Sequence, residues 1–238
     1  MSQPIVHGLW IGDRLGPMQL LTIKSFMAHG YAFYLWAYNQ KVAPLPAGVE
    51  LKDANELIAE ERVFKYPPGG PIDVSFGTGS YAGFSDIFRY KVLYEYGGWY
   101  TDMDVTCLKP PDFTTEYVFR DHWLLPMVGN IMCCPPKSPL MKQSYELAAR
   151  VVDAMNDDWH KPVRILCRFI EELGLTEYIR PGICNLDDSV ELEEKFILGN
   201  VPLPDNWYFI HWCNAMSRHD YRPDSTYHKL LKQYGCEP

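Results

Sequence analysis

The first forty residues alternate between strand-like and helix-like patterns, and this alternation limits the chain to few architectures. The opening stretch PIVHGLWIG is apolar and ends in glycine, which predicts a strand followed by a loop. Leu20, Ile23 and Met27 then recur at helical spacing before Gly30, which predicts a helix ending near that glycine. The stretch AFYLWAYN predicts a second strand. This succession favours parallel pairing, so we predict a doubly wound α/β fold with a mostly parallel central sheet.

The length of the chain suits one domain. Its 238 residues can bury a sizeable core, and the sequence contains no internal repeat, low-complexity tract or obvious linker. Further helices are predicted from about 81 to 96, 139 to 156 and 162 to 173, followed by a polar tail. We therefore predict a single Rossmann-like domain over residues 1–238.

Charge and cysteine content argue against several classes of protein. The net charge of −8 and the lack of a polybasic run argue against nucleic acid as a partner. No apolar run approaches the roughly 18 residues of a transmembrane segment, and the start lacks the pattern of a secretory signal. The seven cysteines are odd in number and form no C-x-x-C, which fits reduced thiols. The sequence thus predicts a cytoplasmic protein that is not secreted.

Two aspartates stand one residue apart in the stretch WYTDMDV. In an extended segment, residues i and i+2 point the same way, so Asp102 and Asp104 are expected to present two carboxylates on one side. Ligands of doubly wound folds bind beyond the carboxyl ends of strands, where this pair is expected. Because close carboxylates repel each other, a hard divalent cation such as Mn²⁺ or Mg²⁺ would stabilise them. Such an ion could also neutralise a departing diphosphate.

A predicted helix precedes these aspartates and carries further charged residues. Asp86 and Arg89 are three residues apart and therefore share one face of this helix. Gly97 and Gly98 follow the helix; Gly97 is expected to end it, and the pair is expected to let the backbone approach a ligand closely. A surface ion pair and two exposed aspartates at a turn are the structural alternatives for these charges.

The whole block SDIFRYKVLYEYGGWYTDMDV resembles the signature S-D-x-x-R-x-x-x-L-x-x-x-G-G-x-Y-x-D-x-D of the DXD sugar-transferase family. This family of glycosyltransferases includes initiating α-1,6-mannosyltransferases and the catalytic domains of large clostridial glucosylating toxins. The opening IVHGLWIG is similar to the family's first strand. The signature matches at Ser85, Asp86, Arg89, Leu93, Gly97, Gly98, Tyr100, Asp102 and Asp104.

The resemblance implies a GT-A-type fold and a metal-dependent, retaining transfer of a sugar from a nucleotide-diphosphate donor to an acceptor hydroxyl. The implied cofactor is Mn²⁺ or Mg²⁺, the favoured donor is a UDP-sugar with a GDP-sugar as the other option, and the acceptor is a glycan or glycoconjugate. Residues 1–110 are expected to form the nucleotide-sugar-binding half and residues 111–238 the acceptor-side half. Such a step would belong to polysaccharide or glycoconjugate synthesis in the cytoplasm of a bacterium or of a virus-infected cell.

The resemblance also implies roles for single residues. Trp10 would stack on the nucleotide base, Asn39 would contact the base or ribose, and Tyr100 would lie against the nucleotide. Asp86 and Arg89 would hold the transferred sugar. Asp102 would bind ribose and metal-bound water, and Asp104 would ligate the metal. As alternatives, Trp10 would be a core residue, Asn39 a turn former and Tyr100 a strand-packing residue.

The family's second metal ligand comes from a C-terminal segment. The stretch YFIHWCNAMSRHD offers His211, Asn214 and Ser217, although Arg218 stands where the family has tryptophan. We favour His211, because imidazole readily ligates Mn²⁺. Arg218, Arg222, Lys229 and Lys232 are candidates to close over the diphosphate, with a solvated tail as the alternative. The segments around Asn130 and Asn185 are expected to line the acceptor side.

Two other functions fit parts of the pattern. The letters DMDVT also match the D-x-D-x-T motif of haloacid-dehalogenase-like phosphatases, in which Asp102 would be the nucleophile and Asp104 the acid/base. In that reading Lys161 would be the later lysine, and Asp187 with Asp188 the final metal pair. That motif normally ends the first strand of its domain, whereas here it lies 100 residues into the chain. A non-catalytic sugar-nucleotide-binding module is the second alternative.

Overall fold

The computed structural model describes residues 3–72, 79–110, 112–214 and 221–237. The nine strands of these ranges are β1 (Ile5–Trp10), β2 (Ala32–Ala37), β3 (Glu50–Asp53), β4 (Gly98–Thr101), β5 (Val105–Cys107), β6 (Val118–Arg120), β7 (Val128–Cys134), β8 (Ile179–Arg180) and β9 (Phe209–His211). The α-helices there are α1 (Pro17–Ala28), α2 (Ala82–Tyr96), α3 (Pro139–Val151), α4 (Lys161–Glu172), α5 (Ser189–Leu192) and α6 (Thr226–Gln233). Short 3-10 helices cover Ala54–Glu56, Glu60–Arg62 and Thr176–Tyr178, and a π-helix covers Glu193–Ile197.

Seven strands form one sheet in the order β3-β2-β1-β4-β7-β6-β8. The first four are parallel, β7 runs antiparallel to both β4 and β6, and β8 is parallel to β6. This is the predicted α/β class with a mostly parallel central sheet, which is confirmed. The sheet joins strands of residues 1–110 to strands of residues 111–238, and the functional division between these halves stays a prediction.

Successive residues along each strand point into two apolar layers, one on each face of the sheet, as the pleat requires. One layer packs against α2, α3 and α4 and includes Tyr100. The other includes Trp99 and packs against α1 and a separate two-stranded sheet of β5 and β9. The four predicted helices are found as α1, α2, α3 and α4. Helix α3 ends at Val151 and is therefore shorter than predicted.

The double glycine has a different role from the one expected. A Cβ atom at Gly97 would lie 2.4 Å from the backbone nitrogen of Pro136, and one at Gly98 would lie 2.9 Å from the carbonyl oxygen of Ile5. Neither glycine lines the cavity described below. The expected close approach to a ligand is therefore wrong, because the space is needed for neighbouring backbone.

The expected polar tail is also wrong. The sequence after Ser225 forms α6, whose first turn is capped by the Ser225 hydroxyl accepting from the His228 amide at 3.2 Å. Tyr227, Leu230 and Leu231 of this helix are buried in a third apolar cluster with Trp212. The helix thereby packs beside the strand that carries His211. Among the described residues, no helix is both long and apolar enough to cross a bilayer.

Candidate active site

The carboxyl ends of β1, β4 and β6 lie at the same end of the sheet as the amino end of β7, because β7 is antiparallel to its neighbours. A cavity of about 1120 Å³ opens there. Parallel-sheet proteins bind ligands at this end. The residues named from the sequence that line the cavity are Trp10, Ser85, Asp86, Arg89, Asp102, Asp104, Asn130, Asp187, Asp188, His211 and Asn214.

Arg89 connects the helix α2 to the aspartate pair. Its Nη1 lies 3.1 Å from Asp86 Oδ1, and its Nη2 donates to both carboxylate oxygens of Asp102 at 2.8 and 3.1 Å. Asp86 is 6 % exposed and Arg89 is 5 % exposed, so this is not the surface ion pair of the structural alternative. Gly129 of β7 makes room for it, since a Cβ there would lie 2.9 Å from Arg89 Nη1. The guanidinium is thus fixed between two carboxylates.

Tyr100 and Asn39 do not line the cavity. Tyr100 is fully buried; its hydroxyl lies 3.0 Å from the Ser85 hydroxyl oxygen, and its ring lies 5.0 Å from the Arg89 guanidinium. The tyrosine therefore supports Arg89 from behind, which fits the strand-packing alternative. Asn39 follows β2 and donates to Asp13 Oδ1 at 2.7 Å. The contacts of both residues with a nucleotide stay predictions that this placement does not favour.

The small β5–β9 sheet places His211 against Asp104. Val105 pairs with His211 in this sheet, and the Trp212 amide donates to the Asp104 carbonyl at 2.9 Å. His211 Nε2 then lies 3.3 Å from Asp104 Oδ2, and the Asn214 amide donates to the same oxygen at 2.9 Å. Backbone pairing across more than a hundred residues thereby brings the predicted C-terminal ligand to the D-x-D motif.

A further group of charged residues lies behind His211, and the sequence did not assign it to this site. Asp187 Oδ1 accepts a hydrogen bond from His211 Nδ1 at 2.7 Å, and its Oδ2 is bound by the fully buried guanidinium of Arg120. Asp187 had been named only as part of a phosphatase metal pair. His122 Nε2 lies 3.7 Å from the same carboxylate. The signal available in the sequence was the segment around Asn185, which was expected on the acceptor side.

The two asparagines expected on that side differ in position. Asn130 lines the cavity, and its Oδ1 is buried without a hydrogen-bond donor within the described part of the chain. Asn185 does not line it: its side chain accepts from the His211 amide at 2.7 Å and donates to the His211 carbonyl at 2.9 Å. The Asn185 amide thus holds the backbone of β9, while Asp187, Asp188 and Ser189 of the segment around it line the cavity. That this segment lies on the acceptor side stays a prediction.

Burial and neighbouring charges shift the titration of the central groups. Burial raises the pKa of Asp102 to about 7; Arg89 opposes this rise and Asp104 adds to it. Burial also acts to raise the pKa of Asp104, but His211 outweighs it and holds that pKa below its usual value. For His211, burial acts to lower the pKa, yet Asp187, Cys213 and Asp104 together hold it well above the usual value. Asp102 therefore has Arg89 as its cationic partner and Asp104 has His211.

This donor set fits a divalent cation. Asp102 and Asp104 offer carboxylate oxygens and His211 offers Nε2, which are ligand types that Mn²⁺ and Mg²⁺ accept. Asp187, His211 and Cys213 also bring one ligand atom each to within 4.8 Å of one another. The hard carboxylate and imidazole atoms suit these ions better than the thiol of Cys213 does.

The remaining C-terminal candidates do not add to the described site. Arg222, Lys229 and Lys232 do not line the cavity, and Lys229 Nζ donates to Asn200 at 2.7 Å. Ser217 and Arg218 lie outside the described residues. Whether the segment 215–220 contributes a ligand or a cation therefore stays a prediction.

Comparisons with known proteins give the family of one segment and the fold of the chain. Residues 33–123 match the family described as glycosyltransferase sugar-binding region containing DXD motif. The resemblance inferred from the motif is thereby confirmed over this segment, which is less than half of the chain and includes Asp86, Arg89, Asp102 and Asp104. No curated protein matches the sequence.

Two solved glycosyltransferases have similar structures. The PaToxG glycosyltransferase is 15 % identical, with a TM-score of 0.51 over 71 % of this chain and 68 % of that chain. The apo-form glycosyltransferase GlyE of Streptococcus pneumoniae TIGR4 is 10 % identical, with a TM-score of 0.49 over 100 % of this chain and 61 % of that chain. At this identity the PaToxG likeness establishes the GT-A-type fold, as predicted. The sugar-binding region and this fold support a glycosyltransferase. Of the further residues named for the phosphatase alternative, Asp187 and Asp188 line the cavity and Lys161 does not.

Proposed function

We propose that the protein is a metal-dependent glycosyltransferase that moves a sugar from a nucleotide-diphosphate donor to an acceptor hydroxyl in glycan or glycoconjugate synthesis. The observation that carries this proposal is the convergence of Asp86, Arg89, Asp102, Asp104 and His211 on one cavity at the carboxyl end of the sheet. The matched sugar-binding region covers four of these five residues, and His211 reaches them through β9.

In this proposal, each residue of the site has a role that follows from its position in the cavity. Trp10 ends β1 and lines the cavity, and in this proposal it stacks on the base, with a UDP-sugar favoured and a GDP-sugar as the other option. Asp86 and Arg89 hold the sugar, and Arg89 also faces the diphosphate. The Asp86 carboxylate can stabilise positive charge that develops at the anomeric carbon as the leaving group departs.

Asp102, Asp104 and His211 would hold a Mn²⁺ or Mg²⁺ ion. When bound, the ion supplies Lewis-acid stabilisation of the leaving diphosphate. To ligate it, His211 Nε2 must carry no proton, and its Nδ1–H then donates to Asp187, which fixes the tautomer. Retention of anomeric configuration is carried over from the family resemblance, and NMR of the product tests it.

The decisive experiment is a hydrolysis assay on a panel of UDP- and GDP-sugars with Mn²⁺, with EDTA, and with the variant Asp104→Asn. Asp205→Asn, which removes an exposed carboxylate that does not line the cavity, is the matched control. We expect release of one nucleotide diphosphate that needs the metal, persists in the control and falls at least about a hundredfold in Asp104→Asn.

Two other results would contradict the proposal. Release of phosphate from simple monoesters, without release from any donor, would favour the phosphatase. Binding of a nucleotide sugar without turnover, for any acceptor or water, would favour the non-catalytic module.

A further inference from the structure

One end of the cavity carries exposed aromatic and apolar side chains that the proposed donor contacts do not use. Trp123 is 63 % exposed and Leu124 is 51 % exposed, although both line the cavity just after β6. Trp159 and His160 line the same end just before α4. We call Trp123, Leu124, Trp159 and His160 the aromatic rim.

The sheet order places the aromatic rim opposite the nucleotide side. Trp10 ends β1, which is the neighbour of β4 on one side, whereas the rim follows β6, two strands away on the other side. Strands lie about 4.8 Å apart, so the rim lies roughly 10 Å beyond the aspartate pair. The aspartate pair thus lies between Trp10 and the aromatic rim.

The cavity also has room for two molecules. Its volume of about 1120 Å³ exceeds the roughly 300–1,000 Å³ that a single small-molecule site usually occupies. A donor on the Trp10 side therefore leaves the rim end for a second ligand. In a transfer reaction that second ligand is the acceptor.

The loop that carries Trp123 is held in place by the protein itself. His122 Nδ1 accepts from the backbone amides of Leu124 and Leu125 at 3.1 and 3.3 Å. These two bonds close the loop around the imidazole and fix the position from which the Trp123 indole projects. The indole surface is therefore presented before any ligand arrives.

The side chains of the rim match a sugar ring better than a lipid tail or a flat protein surface. An indole offers an apolar face against which the C–H groups of a sugar can pack, and it carries a polar N–H at its edge. The His160 ring lines the cavity and forms no hydrogen bond within the described ranges, and burial lowers its pKa, so it can bond a hydroxyl as a neutral imidazole. Asp188 and Ser189 add polar groups at the cavity wall.

We propose that the aromatic rim is the acceptor subsite and binds a sugar ring of a glycan acceptor by stacking on Trp123. This inference rests on the proposed function, because it assigns the second substrate of the same site. It names the acceptor as a carbohydrate with at least one ring to stack, which excludes a bare serine or threonine hydroxyl on a protein surface.

The test measures binding of a panel of mono-, di- and trisaccharides by saturation-transfer NMR in the presence of UDP and Mn²⁺. We expect ring C–H signals from one or more saccharides with the wild type, a loss of affinity of at least about tenfold in Trp123→Ala, and partial rescue in Trp123→Phe. Met155→Ala is the matched control, since Met155 is also 63 % exposed and does not line the cavity. The exposure of Trp123 makes its replacement compatible with folding, which circular dichroism checks.

The outcomes separate the two proposals. Absence of saccharide binding by the wild type, or equal binding by Trp123→Ala, would overturn the acceptor subsite even when donor hydrolysis is intact. Absence of donor hydrolysis together with Trp123-dependent saccharide binding would overturn the proposed function and leave the carbohydrate subsite supported.

Discussion

At the scale of single residues, Asp187 has the clearest consequence. It bonds His211 Nδ1 at 2.7 Å, and the buried Arg120 guanidinium holds its other oxygen. A carboxylate in this position orients a metal-binding imidazole and fixes its tautomer, and losing it typically weakens metal affinity about 10–100-fold. We expect Asp187→Asn to weaken Mn²⁺ binding by that factor in a titration followed by electron paramagnetic resonance.

The control for this prediction is Asp205→Asn, which removes the same charge from an exposed position. It should leave the Mn²⁺ affinity within about twofold of the wild type, since exposed charges at a distance are screened. Unchanged affinity in Asp187→Asn would show that the carboxylate only packs against His211.

A second residue-scale prediction concerns His7 of β1, which is fully buried. The Trp36 indole N–H donates to its Nδ1 at 3.1 Å, and its Nε2 donates to the Gly97 carbonyl at 3.2 Å. A proton on Nδ1 would face the indole N–H. Burial lowers the pKa of His7 to about 4, while the unfolded chain keeps the usual value near 6.5.

Because the unfolded state binds the proton more readily, this histidine costs stability as pH falls from about 6.5 to 4. The linkage gives a loss of about 2 kcal/mol in the free energy of unfolding between pH 7 and pH 5. The free energy of unfolding, measured in urea, should change between pH 7 and pH 5 by about 2 kcal/mol less in His7→Gln than in the wild type. An equal pH dependence in His7→Gln and in the wild type would contradict this assignment.

These residues also show what the sequence could reveal. Asp86, Arg89, Asp102 and Asp104 lie within twenty residues, so helical and strand spacing predict that they converge. Arg120 and Asp187 are far apart in sequence and meet only because β6 and the segment before α5 fold toward β9. Their contact follows from tertiary structure, which no local spacing contains. The sequence also could not predict toward which face of the sheet the Tyr100 side chain points, since both faces of a buried strand are apolar.

At the scale of elements, the turn between α2 and β4 is the most constrained connection. Gly97 has φ 65° and ψ −160°, a conformation reserved for glycine, and its missing Cβ leaves 2.4 Å to the Pro136 backbone nitrogen. The sequence predicts the end of the helix at this glycine correctly. It does not predict the neighbour, because the loop after β7 arrives from forty residues further along the chain.

We expect Gly97→Ala to destabilise the fold strongly, through backbone strain and a clash with the Pro136 backbone. Gly174→Ala is a matched control, because Gly174 has φ +70° but open space where a Cβ would lie. The control should cost about 1 kcal/mol in urea unfolding, and Gly97→Ala should cost at least about 2 kcal/mol more. Equal losses of unfolding free energy in the two variants would mean that the loop after β7 shifts to accommodate the added Cβ without further destabilisation.

At the scale of the whole molecule, the site joins distant parts of the chain. The residues that line its cavity come from β1, the turn after β4, β9 and the helix α2, which packs on the seven-stranded sheet. Sequence periodicity predicted the class of fold and most helices. The antiparallel insertion of β7 and the packing of α6 were not predicted, because burial within a specific partner cluster decides them and local polarity does not.

Because the residues that line the cavity come from several elements, binding of Mn²⁺ and UDP there should stabilise the entire domain. Mn²⁺ and UDP together, each at a hundred times its dissociation constant, should raise the free energy of unfolding by at least about 2.7 kcal/mol. Thermal unfolding with and without both ligands measures this, and most of the increase should vanish in Asp104→Asn. An increase that survives in the variant would place the binding site away from the aspartate pair.

The pairing of β5 with β9 also has a consequence for the order in which the protein matures during synthesis. Asp104 leaves the ribosome more than a hundred residues before His211, so the D-x-D motif is made long before the strand that completes its surroundings. A nascent chain that has emerged only through β8 contains the full sugar-binding signature but no imidazole beside Asp104. The corner where Asp104 and His211 meet is therefore completed only late in synthesis, once β9 has been made.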